Sequence, residues 1–314
     1  TLDKENIQTA EILLPCNNLV ETLQFFTDKL GFKMESIGPA EEPSLAVISG
    51  YGIRIRLEPG NNQDPVSINL LCSDPASIAD GKLELTAPNG TCVNLIEVDP
   101  PLNIPNVKQT FVLSKMSDTD QWNEGRAGMW YRDLIPDRQG GYVVASHIRI
   151  LDGGPVPDYV HYHKILFQMI YCYKGWARLV YEDQGEPFII EKGDCVLQPP
   201  QIRHQVLESS PGMEVIELTC PADHETCVDH EIKLPTSSVD PERLFNGQHF
   251  IRHEAAKTEW KPWRMEGFEA RDIGIASATD GLAGVRVTRP IGQPQPEFVS
   301  HDADLLFMFL LNGS

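Results

Sequence analysis

The sequence predicts a mainly β protein in which an α+β module of roughly 100 residues precedes two tandem β-barrels, the second incomplete. Three observations lead there. A single helical pattern stands among short alternating strands in the first hundred residues. The Pro-rich stretch DPPLNIPNVKQTF then interrupts the chain. Beyond it, β-rich stretches recur in the same order at an offset of about 138–140 residues, too long for a solenoid unit.

The chain has 314 residues, of which 41% are hydrophobic, enough for two or three packed domains. Its formal net charge of −19 repels phosphate backbones and anionic lipid, so neither nucleic acid nor a membrane is expected as a partner. No apolar run approaches the ~20 residues of a membrane span. The polar opening TLDKENIQTAEI does not read as a signal peptide. Seven cysteines without a CxxC pair fit reduced thiols and a cytoplasmic setting.

In the first module (1–100), Leu19, Leu23, Phe26 and Leu30 recur at helical spacing, Asn17 or Asn18 is placed to cap the helix, and Gly31 ends it. AEILL precedes the helix and SLAVISG and GIRIRLE follow as strands. Ile53, Ile55 and Leu57 alternate with Arg54, Arg56 and Glu58 in the last of these. VSINLLC, KLELTAP and TCVNLIEV read as further strands. This order, with the phrase NNLVETLQFFTDKLGF, resembles the glyoxalase/bleomycin-resistance (vicinal oxygen chelate) superfamily and its βαβββ unit. The resemblance places that family's metal ligands at Thr9 and Asn94, which suit a catalytic metal poorly. A degenerate, metal-free module with a packing or lid role is therefore expected.

The repeat divides the remainder into a barrel at 110–235 and a partial barrel at 245–314. Trp122 and Tyr131-Arg132-Asp133-Leu134 are echoed by Trp260 and Ala270-Arg271-Asp272-Ile273. GGYVVASHIR (140–149) is echoed by DGLAGVRVTR (280–289), and HKILFQMIYCYKG (163–175) by HDADLLFMFLLNG (301–313).

The chemistry concentrates in the first barrel. His161 and His163 are two apart, so on a strand both imidazoles point to one face. Gln168 shares the parity of Ile170 and Cys172 on the next strand and is expected to point inward too. His204, after a Pro-Pro pair, arrives from a later strand. Three neutral imidazoles suit a divalent transition metal, with Fe(II) first and Ni, Mn or Zn as alternatives. Glu208 lies four residues after His204 and is expected to share its parity, as a candidate general base. Tyr171 and Tyr173 have the parity opposite to Gln168 and are expected outside the barrel or at a subunit interface. Arg203, beside His204, is expected at the surface.

His161-x-His163, Gln168 and Gly175, followed by Gly193, Pro199 and His204, resemble the paired motifs of the cupin superfamily over roughly 120 residues. The resemblance implies a double-stranded β-helix, or jelly-roll, and a metal held by His161, His163, His204 and the position of Gln168. The family's usual carboxylate ligand stands there as glutamine. A carboxylate-free site favours an anionic, chelating substrate. The implied activity is a metal-dependent dioxygenase acting on a diketone or a hydroxy-aromatic acid. The rivals are a non-redox cupin lyase or isomerase and a non-enzymatic small-molecule-binding cupin. A homo-oligomer, a dimer first, is expected from the way barrels cover exposed strand edges. The stretch Cys220-x3-His224-x2-Cys227-x2-His230 offers zinc-ligand types without a standard zinc spacing. In the second barrel His301 stands where His163 stands, Val299 replaces His161 and Leu306 replaces Gln168, so a metal-free barrel is expected.

Overall fold

The structure is a computed structural model that describes residues 7–39, 41–60, 66–116, 121–292, 298 and 300–313. The chain forms two compact units, Thr1–Pro101 and Leu102–Ser314. No helix among the described residues is long and apolar enough to cross a membrane.

The first unit opens with β1 (Ile12–Pro15) and α1 (Leu19–Gln24), which widens into a π-helical stretch over Phe25–Lys29. Then come β2 (Lys33–Gly38), β3 (Leu45–Gly50) and β4 (Ile53–Glu58). They form one sheet in the order β1-β4-β3-β2, with β1 parallel to β4. The alternation in β4 buries Ile55 and Leu57 completely, against Phe26 and Leu30 of the helical segment. Asn18 stands at the helix N-terminus but makes no side-chain cap, and Asn17 instead donates to the Gly60 carbonyl at 3.2 Å. A second sheet, β5 (Ser67–Cys72), β6 (Glu84–Thr86) and β7 (Cys92–Glu97), is ordered β5-β7-β6, with only a 3₁₀ turn at Pro75–Ser77 between β5 and β6.

The second unit is built from two facing sheets. Its strands are β8 (Asn123–Glu124), β9 (Trp130–Asp133), β10 (Val144–Ile150), β11 (Gly154–Pro155), β12 (His161–His163), β13 (Phe167–Lys174), β14 (Trp176–Tyr181), β15 (Phe188–Glu191), β16 (Cys195–Leu197), β17 (His204–Ser209), β18 (Met213–Cys220), β19 (Thr226–Val228), β20 (Leu244–Phe245), β21 (Gln248–His249) and β22 (Ile251–His253). One sheet runs β22-β16-β13-β18-β10-β9-β8; the other runs β15-β14-β17-β12-β19, with β11 on β17. Inward residues of both, including Ile148, Cys172, Leu179, Tyr181, Ile190, Val196 and Val215, make one core. Gly175 turns β13 into β14 with φ +73°, and a Cβ there would stand 2.4 Å from Ser210 Oγ, so glycine is needed.

The repeat appears as a matching set of strands. β23 (Lys261–Pro262), β24 (Phe268–Asp272) and β25 (Arg286–Pro290) form a three-stranded sheet. Arg271 pairs with Val287 across β24 and β25 as Arg132 pairs with His147 across β9 and β10. Lys261 pairs with Ala270 as Asn123 pairs with Tyr131. The same cation–π stack recurs as well, with Arg149 3.9 Å over Trp122 and Arg289 4.0 Å over Trp260.

The division near 235–245 does not separate two units. β22 joins the first barrel's sheet through β16, pairing His253 with Cys195. Ile273, Ile275 and Val287 also pack on Phe167, Met169 and Leu197, on the barrel's outer face. Residues 300–313 form no strand, yet Leu305, Phe307 and Phe309 pack on the outer cluster of Leu134, Val143 and Ile216.

Candidate metal centre

β12 pairs with β17 so that His161 lies directly opposite His204, and β12 carries His163 two residues on. All three rings are buried, at 1%, 9% and 5% exposure for His161, His163 and His204. One ligand atom from each can be chosen so that all lie within 4.8 Å of one another. This is the only such group of histidine, cysteine or acidic residues among the described residues.

The hydrogen bonds set which nitrogen is offered. His161 Nδ1 lies 2.8 Å from the Tyr159 carbonyl, and His204 Nδ1 lies 3.0 Å from the Ile202 carbonyl. A carbonyl only accepts, so both Nδ1 atoms carry the proton and both Nε2 atoms hold the lone pair that can ligate, each now facing an N–H donor, Arg126 for His161 and Gln198 for His204. His163 Nδ1 meets Thr226 Oγ1 at 2.9 Å. Burial is the main cause that lowers the pKa of all three, and most strongly for His163 and His204. The imidazoles are thus held neutral, the state that binds a metal. The donor set fits a borderline divalent transition ion, with three nitrogens and no carboxylate among them.

Gln168 is 1% exposed and points inward. Its Oε1 accepts from Gln198 Nε2 at 2.9 Å, and that amide also lies 3.2 Å from His204 Nε2. Tyr181 donates to Gln198 Oε1 at 2.5 Å and stacks on His204. Gln168 therefore sits in an amide chain beside the histidines.

The expectation that Glu208 shares the face of His204 fails for a local reason. Arg178 pairs with Glu208, but Leu179 pairs with Val206, which leaves Leu207 as an extra residue in β17. This bulge reverses the side-chain parity beyond it. Glu208 turns outward to Arg178, at 3.2 Å, and the two side chains are 40% and 41% exposed. Arg203 is also at the surface, paired with Asp229 at 3.1 Å and lying 4.0 Å over Tyr162. Tyr171 and Tyr173 pack outside the barrel with Phe309 and Leu218 nearby.

Residues that the sequence did not single out complete the interior. Glu217 of β18 lies diagonally across the ladder from Gln168, which pairs with Thr219. Burial pushes its carboxyl up to about 7, against the opposing influence of Arg126, Gln168 and Thr219. Tyr131 faces Glu217, Arg126 and Asp158, and burial pushes it up to about 12. His224 stacks edge-on against His163 with ring centroids 5.6 Å apart. The other members of the candidate zinc stretch do not converge with it. Cys220 ends β18, Cys227 lies on β19, and His230 packs on Tyr159. In the first unit, Asn94 donates to Asn69 at 2.9 Å, and Thr9 lines an open cleft of about 700 Å³ with Glu35 and Arg54. His301 is exposed, and Val299 lies outside the described residues.

No protein-family model matches the sequence, and no curated protein matches it. Solved structures similar to parts of it include a deletion mutant of Bacillus subtilis oxalate decarboxylase, at 15% identity and a TM-score of 0.36, over 55% of this chain and 56% of that one. KdgF from Halomonas sp. is 19% identical, over 36% of this chain and 94% of its own, with a TM-score of 0.30. An RmlC-like cupin from Shewanella frigidimarina is 22% identical, over 37% and 95%, also at 0.30. The chain spans just over half the length of the oxalate decarboxylase chains.

Proposed function

We propose that the second unit is a cupin-type, metal-dependent enzyme acting on a small anionic chelating substrate. The observation that carries this is the convergence of three buried, neutral histidines with no carboxylate in the donor set. Such a donor set leaves a divalent ion close to its full charge, which an anionic substrate offsets. Within that class we favour a dioxygenase acting on a diketone or hydroxy-aromatic acid. A divalent metal held by His161, His163 and His204 supplies Lewis acidity and, if iron, a route to O₂. The chain's own part is to orient the imidazoles through Tyr159, Ile202 and Thr226 and to place Tyr181 against His204 and Glu217 beside Gln168.

A second reading, a lyase or isomerase without redox chemistry, is favoured by Glu217 specifically. A buried carboxyl titrating near 7 can take up or give back a proton at neutral pH. Elemental analysis of purified protein, followed by O₂ uptake with enolisable diketones and ortho-hydroxy acids, separates the two. Stoichiometric iron with substrate-dependent O₂ consumption is expected. Metal-loaded protein that converts such compounds without O₂ favours the second reading, and a protein that retains no divalent ion refutes both. We read the first unit as a metal-free glyoxalase-like module and the whole as a cytoplasmic homo-oligomer. Light scattering and metal analysis of the first unit's contribution test that.

A further inference from the structure

The open nitrogen of His161 is not free. Arg126 Nη2 lies 2.9 Å from His161 Nε2, while the same guanidinium pairs through Nη1 with Asp158. Asp158 is a fixed anchor. Its side chain has 0% exposure and accepts from the backbone N–H groups of Tyr159 at 2.9 Å and Val206 at 3.0 Å. Arg126 itself is 38% exposed, so it bridges solvent and the histidine cluster. It stands in a tight loop, closed by Gly125 N–H to the Met129 carbonyl at 2.8 Å and Met129 N–H to the Arg126 carbonyl at 3.1 Å. Gly125 is pressed against the Tyr131 ring, and a Cβ there would stand 2.6 Å from it, so the loop is held against the barrel wall.

A lone pair serves one cation at a time. Arginine keeps its charge throughout the accessible pH range and cannot yield by deprotonating. His161 cannot offer its other nitrogen, because Nδ1 is committed to the Tyr159 carbonyl. A metal ion on His161 Nε2 therefore excludes Arg126 from that atom. Asp158 still holds the other side of the guanidinium, so the displaced N–H groups stay beside the centre. Three neutral imidazoles with the Arg126–Asp158 pair sum to no net charge. A divalent ion then leaves the cluster doubly positive apart from Glu217.

We propose that Arg126 is the anion-recognition residue of this centre, covering His161 Nε2 while no metal is bound and, once metal takes that nitrogen, presenting its freed N–H groups to a carboxylate or enolate oxygen of the substrate. This rests on the metal-dependent function proposed above. It makes two linked statements, that Arg126 competes with the metal and that it binds the anion.

The test compares the wild type with Arg126→Gln and Arg126→Lys in the full chain. Mn(II) affinity is read from the free-ion electron paramagnetic resonance signal. Oxalate, a small chelating dianion, is titrated calorimetrically into the Mn(II)-loaded proteins. Arg126→Gln is expected to bind Mn(II) about tenfold more tightly and oxalate about 10–100-fold more weakly, on the scale of lost charge-assisted hydrogen bonds. Arg126→Lys keeps the charge without the fork, so it falls between the two on both measurements. Wild-type and Arg126→Gln proteins with equal affinities for both probes overturn the proposal, and so does tighter Mn(II) binding with unchanged oxalate affinity. A wild type that binds no Mn(II), Fe(II) or Zn(II) overturns the metal-centre reading instead, which keeps the two failures distinguishable.

Discussion

The two repeats share a set of strands and then use the next stretch of sequence differently. In the first, β13 is a central strand whose outward residues Phe167, Met169 and Tyr171 face the second repeat and whose inward residues Gln168, Ile170 and Cys172 line the barrel. In the second, Leu305, Phe307 and Phe309 hold the matching positions and pack on the first barrel's outer face. Their neighbours Leu306, Met308 and Leu310, which match the barrel-lining set, are 56%, 82% and 65% exposed. The face that joins the repeats is thus kept in both. Among the described residues, the other face is covered only in the first. The alternation that packs one face and the residues that make a centre are separable, and the former recurs in the second repeat even where no strand forms.

Replacing the matched histidines gives the largest expected contrast. His163→Ala removes one of three nitrogen donors and should lower metal affinity by at least 100-fold, since loss of a group merely supporting a ligand typically costs about 10–100-fold. His301→Ala touches an exposed residue and should leave metal content unchanged. Elemental analysis of both variants after dialysis checks this. Equal metal loss in the two would mean that the repeats cooperate in one centre.

A smaller effect is expected from Glu217→Gln. The folded chain holds the Glu217 proton up to about pH 7, whereas an ordinary glutamate loses it near 4.5. Between those values the folded state binds more protons than the unfolded one, so this carboxyl costs stability as pH rises through that window. The full cost above pH 7 is on the order of 3 kcal/mol, since each tenfold change in proton affinity is worth ~1.4 kcal/mol. Metal-free Glu217→Gln protein should therefore melt higher than the wild type at pH 8 and close to it near pH 4.5. A gain of equal size at both pH values would place its origin in packing rather than charge.

These contrasts also show where the sequence is informative. His161, His163 and His204 are legible because a period of two and a cross-strand pairing are properties of strands, and strands are what the alternation encodes. The outward placement of Tyr171 and Tyr173 follows from the same rule. Arg126 and Asp158 are not legible, because they lie in loops whose path is set by tertiary contacts such as Gly125 against Tyr131. Glu217 has a weak signal. It lies at every second position with Val215 and Thr219 in MEVIELT, and a charged residue on an apolar strand face is worth marking. The joining of β22 to the first barrel could not be read either, since strand addition across a duplicated boundary depends on edges rather than on local pattern.

Glu208 gives the smallest predicted effect and tests the rule that misplaced it. Counting by twos from His204 turns it inward, and the extra residue Leu207 turns it outward. Its partner Arg178 is about as exposed as Glu208 itself, and surface pairs of this kind are worth about 0–1 kcal/mol. Glu208→Gln should thus shift the melting temperature little and leave metal affinity unchanged. Glu217→Gln should change the pH dependence of stability, although both carboxylates lie on neighbouring stretches of one barrel. If Glu208→Gln instead reproduces the pH signature expected for Glu217, then β17 is regular in solution and Glu208 faces the histidines. Deleting Leu207 probes the same point from the other side, because removing the extra residue restores the two-residue period and should draw Glu208 to the interior at a cost in stability.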